Sequence, residues 1–269
     1  ASVLKDDGAT AMVSIPGGEG QVGVKNKTVL KSIPKRRRGK SVLRAKQFQP
    51  FKIDKYEVTN HNYYLFLQTL DAETAKKWRP RHHILKVKHP YWTSSHYTTG
   101  KGNFPVTGIP YQAAMAYAQW RNKRLPDEFE WEYAARGTKA KMFGANTDSY
   151  ATARSKCNVS DAWNEQPHPV AVTDPKNAGD VSAFGVVGMG GNVSEWCTTK
   201  EVREFNVRDA NGKVIKGERR KVRLHAFRGP NHDSSGDLAC LLSYQGYMDP
   251  LGKTRDKKFQ VTLGFRCAK

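Results

Sequence analysis

The chain has 269 residues, 38% hydrophobic and 10% aromatic, with 23 Gly and 13 Pro, a composition that fits a loop-rich globular protein and excludes disordered and fibrous classes. No apolar run approaches the ~18 residues of a membrane-spanning helix. Against 25 Asp and Glu stand 45 Lys and Arg, a formal net charge of +20, which calls for an acidic partner: nucleic acid, anionic polysaccharide, lipid headgroups or an acidic protein subunit. Charge alone does not choose among these.

In chain order, Met12-Val13-Ser14-Ile15 before Pro16-Gly17-Gly18 reads as a strand and turn, and Phe51 to Val58 alternates apolar and polar as a half-buried strand does. Between them Lys25 to Lys46 holds ten basic residues and no acid, including Lys35, Arg36, Arg37 and Arg38, the expected partner-binding arm. Thr59 can cap a helix that sets Tyr63, Phe66, Leu67 and Leu70 on one face, which reads as core. Trp78 to Asn103 is an irregular connection. Its His82, His83, His89 and His96 sit among lysines without a carboxylate, so they read as part of a basic surface rather than as metal ligands.

Pro110 to Asn122 reads as a helix opened by proline. In the next helix Asp127 and Glu130 stand three apart as an acidic capping box, and Gly137 suits its C-terminal end. Beyond it regular periodicity fades into short strand-like pieces, His168–Val172, Val222–Phe227 and Val261–Arg266, joined by Gly-, Asn- and Asp-rich loops. No repeat or linker divides the chain, and a further basic block lies at Lys213 to Arg223.

Cys157, Cys197, Cys240 and Cys267 are widely spaced and form no CxxC pair, which excludes zinc-ribbon and thioredoxin-like redox sites. Their even number allows two disulfides. The opening Ala1-Ser2-Val3 fits a mature end left by signal cleavage and fits a trimmed chain equally; export to the periplasm or cell surface is the expectation carried forward.

Arg124-Leu125-Pro126-Asp127-Glu128-Phe129-Glu130-Trp131-Glu132-Tyr133-Ala134-Ala135-Arg136-Gly137, then Phe184 to Trp196 with its Gly188-Met189-Gly190-Gly191-Asn192-Val193-Ser194-Glu195-Trp196, then Phe227-Arg228-Gly229 and Leu263-Gly264-Phe265-Arg266, together resemble the formylglycine-generating enzyme, or sulfatase-modifying factor, family. Met12 to Gly18 and Tyr56 to Asn60 resemble its opening, so the likeness runs from residue 11 to 268. It implies one α+β domain over 1–269 with a C-type-lectin-like fold: two main helices on small, twisted, mostly antiparallel sheets with many irregular loops. It also implies that Asn192, Glu195, Trp196, Arg228 and Arg266 are structural, with Arg266 or Arg228 as the partner of a buried Glu195. Asn192 then belongs to a buried corner rather than a glycosylated loop; Asn158-Val159-Ser160 is the other sequon.

The family's oxidase holds copper on two cysteines a few residues apart, since copper(I) prefers soft thiolates. After Arg228-Gly229-Pro230-Asn231 this chain offers only Cys240 nearby. The sulfoxide synthases of the family carry a further helical domain that is not in this sequence. A non-catalytic lectin-like binding or scaffold module is therefore the expectation, possible as a subunit of an envelope or extracellular complex, with an acidic protein subunit or anionic polysaccharide as partner; nucleic acid is disfavoured for want of a recognition motif. The alternative is a metal-dependent oxidase. Asn231, His232, Asp233, Tyr244, Gln245 and Tyr247 are the candidate ligand-binding residues on the C-terminal loops, with loop packing as their competing role. Calcium, as in other family members, would fall on Asn158 and Val159, with Asp161 or Glu165 supplying charge; Ser182 and Gly188 stand where the family commonly has Asn and Asp.

Overall fold

The computed structural model describes residues 9–24, 42–80, 91–93, 95–160, 168–209, 211, 213–236, 239–249 and 262–269. The expected basic arm at Lys35, Arg36, Arg37 and Arg38 lies outside them, as do His82, His83, His89, Asp161 and Glu165. The elements are β1 (Met12–Ile15), β2 (Gly18–Val22), β3 (Arg44–Phe48), β4 (Phe51–Asp54), α1 (Asn60–Leu67), α2 (Ala72–Trp78), α3 (Tyr111–Trp120), α4 (Glu128–Arg136), α5 (Tyr150–Lys156), α6 (Pro175–Ala178), β5 (Ser194–Arg208), β6 (Val214–Arg228), β7 (Gln245–Met248) and β8 (Leu263–Gly264).

Two small antiparallel pairs, β1 with β4 and β2 with β3, flank a four-stranded sheet in the order β7-β6-β5-β8. That sheet is antiparallel except where β8 runs parallel to β5 at Ser194↔Leu263. Strand alternation sorts its central residues onto two faces. Trp196 and Phe227, directly opposite each other, pack with Tyr63, Phe66, Tyr117 and Phe265 beneath α1 and α3. Cys197 and Ala226 face the other way, against Trp131 and Ala134 of α4. Glu195 and Arg228, also opposite one another, lie on that α4 face by the same alternation.

The helices start where their sequences say. The Thr59 hydroxyl accepts from Asn62 N at 3.2 Å. Asp127 and Glu130 form a reciprocal capping box, and Gly137 closes α4 at φ 66°, a conformation that costs a glycine little. Tyr63, Phe66 and Leu67 are buried as their spacing predicts.

His168–Val172 is not a strand. Its backbone is claimed elsewhere: Val170 N donates to Asn192 Oδ1 at 3.0 Å and Val172 N to Asn103 O at 2.9 Å, which leaves no ladder to form. Two further strands, β2 and β3, arise where the sequence shows little alternation. Gly20 lies directly under the Tyr133 ring, where a Cβ would come within 2.3 Å of it, so tertiary packing rather than local propensity fixes that strand.

Candidate functional site

The Gly188–Trp196 corner sits at the centre of the molecule and is held by charge. Arg266 spends all five of its N–H donors: Nε and Nη2 form a fork on Glu195 at 2.7 and 2.8 Å, Nη1 reaches the carbonyls of Asp54 and Lys55 at 3.1 Å, and Nη2 reaches that of Val187 at 2.9 Å. Trp131 Nε1 donates to the same Glu195 Oε2 at 2.7 Å. Burial works against the guanidinium charge, yet Glu195 and Glu57 hold the Arg266 pKa above its ordinary range. Of the two candidate partners for Glu195, the side-chain pair is with Arg266.

Arg228 turns instead to α4. Its Nη2 donates to Glu132 Oε2 at 2.7 Å, while Glu132 Oε1 accepts from Gly23 N at 2.7 Å and from Arg136 Nη1 at 2.8 Å. A third buried pair joins Asp54 to Lys123 at 2.6 Å. These pairs tie the early strands, α4 and the C-terminal strand to one another, so the loops above rest on a rigid floor.

Beside the floor, Asn192 adopts φ 60° and is completely buried, which removes it as a glycan acceptor. Its Nδ2 donates to Glu57 Oε1 at 3.0 Å, and its Oδ1 accepts from Asn158 Nδ2 at 3.1 Å. Burial raises the Glu57 carboxyl to about 7, Arg266 opposing and Glu195 reinforcing the shift; its Oε2 has no hydrogen-bond partner.

The calcium expectation is met only in part by the described residues, since Asp161 and Glu165, which would supply its charge, lie outside them. Asn158 gives its amide to His168 O and Asn192, and its carbonyl accepts from Asn192 N at 2.9 Å. At Gly188 a Cβ would come within 2.8 Å of Glu57 Oε1 and 3.0 Å of Asn177 Nδ2, so neighbouring side chains fill the place of a ligand there. Glu195 is fully committed to Arg266 and Trp131. Among the described residues no group of three His, Cys, Asp or Glu side chains gathers to hold a metal.

Of the six candidate ligand-binding residues, Asn231 and His232 are buried, Tyr244, Gln245 and Tyr247 are half-buried, and Asp233 is exposed. Asn231 Nδ2 donates to Ser194 Oγ at 3.0 Å and its Oδ1 accepts from Asp233 N at 2.9 Å. The buried His232 is 2.8 Å from Asn192 O through Nδ1. Tyr244 packs at the rim of the core beside Phe227. Gln245 opens β7 opposite Arg228. Tyr247 donates to Glu128 Oε1 at 3.1 Å, with the Arg203 guanidinium over its ring at 5.1 Å.

The exposed charge is carried by a ribbon. Beyond Lys200↔His225, β5 and β6 pair with each other and with no other strand among the described residues. Register places Lys200, Val202, Arg223, Glu204, Lys221 and Arg219 on one face. All six are exposed, Val202 by 60%. The opposite face carries Phe205, Val222 and Leu224, which are half-buried or buried. At the ribbon's base His225 stacks on Tyr111 with ring centroids 3.6 Å apart.

Glu57, Glu132, Arg136 and Asp180 are buried residues that sequence reasoning did not single out. For Glu132 and Arg136 the spacing on one helix was a readable signal; for Glu57 and Asp180 the partners come from distant segments, and no local pattern announces them.

A lectin-like α+β domain, with a charge-locked floor under irregular loops, is the class that fold and site define. The chain belongs to the sulfatase-modifying factor enzyme 1-like domain family, whose sequence profile matches residues 3–269. A formylglycine-generating enzyme of Thermomonospora curvata is 28% identical over 224 residues, covering 70% of this chain and 71% of that protein. An inactive C-alpha-formylglycine-generating enzyme 2 of Bos taurus is 26% identical over 295 residues, covering 96% and 87%. PvdO from Pseudomonas aeruginosa has a solved structure similar to this one, with TM-score 0.61 and 22% identity over 96% of this chain and 93% of that one, which shows a shared fold. Membership alone leaves catalysis open.

Proposed function

We propose that this chain is a non-catalytic binding or scaffold module that engages an acidic protein partner through the exposed face of the β5–β6 ribbon. The observation that carries the reading is the ribbon itself: Lys200, Lys221 and Arg223 surround the exposed Val202 on a face that no other described strand covers. A two-stranded ribbon is marginal in water without a third element, and an apolar residue flanked by Lys200, Lys221 and Arg223, with Glu204 opposite Lys221, matches a mostly acidic protein surface with an apolar contact of its own.

The non-catalytic part rests on the thiols. Cys240, which follows the Arg228-Gly229 segment, is buried in an apolar cluster with Phe143, Val159 and Leu241. The inactive bovine relative, which matches nearly the whole chain, supports the same reading. Export to the periplasm or cell surface is part of the proposal, supported by the even number of cysteines. A metal-dependent oxidase is the competing reading.

Binding of a fluorescent glutamate-rich peptide tests the surface. The protein is expected to bind it with affinity that falls as salt rises, and Lys200→Glu with Lys221→Glu and Arg223→Glu is expected to weaken binding about tenfold or more. Unchanged peptide affinity in the triple variant, or tighter binding to heparin or duplex DNA that the variant retains, would overturn the acidic-protein assignment.

A further inference from the structure

The four cysteines occupy three different places. Cys267 packs under α1 and α3, and Cys197 packs behind the sheet against α4. Only Cys157 and Cys240 share a cluster. Cys157 follows the last turn of α5, with its N–H on Ala153 O at 2.8 Å. The segment Phe143-Gly144 holds Cys240, through Gly144 N to Cys240 O at 3.0 Å and the bridge Phe143↔Leu241.

The same segment walls in the other thiol. A Cβ on Gly144 would come within 2.6 Å of Cys157 Sγ, and one on Gly190 within 2.8 Å. Backbone therefore closes two sides of that sulfur, and its side-chain hydrogen-bonding neighbours are the Cys240 thiol and the Asp180 carboxylate. Asp180 is itself fixed, accepting from Gly190 N at 2.6 Å and Ala145 N at 2.8 Å.

We propose that Cys157 and Cys240 are a disulfide-forming pair, a modification site that covalently links the end of α5 to the loop before β7. The co-reactant is a disulfide-bearing oxidant, either a small-molecule disulfide or an oxidoreductase. One cysteine thiolate attacks the oxidant's S–S bond and releases one of its sulfurs as a thiol. The second cysteine then attacks the mixed disulfide, the Cys157–Cys240 bond forms, and the oxidant's other sulfur leaves as a thiol. The pair gives up two electrons and two protons, and the oxidant takes up both. Since both sulfurs are buried, exchange occurs during folding or local opening. The bond would restrict the unfolded chain across the long stretch between the two positions.

The test uses the whole chain, both refolded from the reduced, denatured state and incubated while native in oxidised glutathione with a trace of reduced glutathione. Each sample is then denatured without reductant, alkylated and peptide-mapped. The expected result in the refolded sample is two alkylated cysteines out of four, with a crosslinked peptide joining 157 to 240. Cys157→Ser and Cys240→Ser, checked for native circular dichroism, are each expected to leave three alkylated cysteines of the three remaining. Four alkylated cysteines in the refolded, native-like wild type, or a bridge to Cys197 or Cys267, would overturn the proposal. This outcome is independent of the ribbon's ligand.

Discussion

Arg266 and Glu57 show how single buried charges decide this protein's stability. Arg266 forks onto Glu195 and spends its remaining donors on three carbonyls, so removing it strands a buried carboxylate and several acceptors together. Arg266→Ala is expected to cost about 3–5 kcal/mol in chemical denaturation, well above a typical surface substitution. Glu57 behaves oppositely, because its carboxyl is raised from 4.5 to about 7 in the folded state. Below about pH 4.5 both states hold the proton and burial carries no ionisation penalty. As pH rises toward 7 the unfolded state releases its proton first, and that contribution to stability is lost. Glu57→Gln should therefore melt at a higher temperature than the wild type near about pH 8, with the gap closing toward about pH 5; a variant less stable at the higher pH would show that the ionised carboxylate is stabilising.

At the scale of elements, α4 was legible and the ribbon only partly so. Asp127, Glu130 and Gly137 are local signals, and the capping box and C-terminal glycine stand where they predict. The strand expected at Val222–Phe227 extends over Val214–Arg228, because its outer part is charged on one face and shows little hydrophobic alternation. The pairing of Glu195 with Arg266 was readable only as a choice of two arginines, since the partners meet through the fold. Glu57 and Asp180 gave no signal at all. The ribbon's base also carries a pH response. Burial first, then Lys200 and Arg223, lowers the His225 pKa from 6.5 to about 4, so neutral His225 contributes fully above 6.5 and its contribution is lost as pH falls toward 4. Amide exchange at residues 225–228, corrected for the intrinsic rate, should accelerate relative to the core across that interval. His225→Leu should flatten the response; an unchanged pH profile in the variant would assign it to other groups.

For the whole molecule, the described residues divide between a locked interior and a charged exterior. The ion-pair floor joins segments from Gly23 to Arg266, which gives the loops and the ribbon a stiff base. Cys240 is buried in one cluster with Cys157. The sequence indicated a missing thiol a few residues from Cys240; it held no sign that Cys157 would be the neighbour, because that contact depends on how α5 and the Gly144 and Gly190 backbones pack. Whether this arrangement catalyses anything is tested most directly by incubating the purified protein with copper(I), oxygen and a peptide carrying a cysteine in a sulfatase-type motif, followed by mass analysis of the peptide. A non-catalytic module predicts unmodified cysteine at every time point; formylglycine that accumulates with turnover, and disappears in Cys240→Ser, would contradict it.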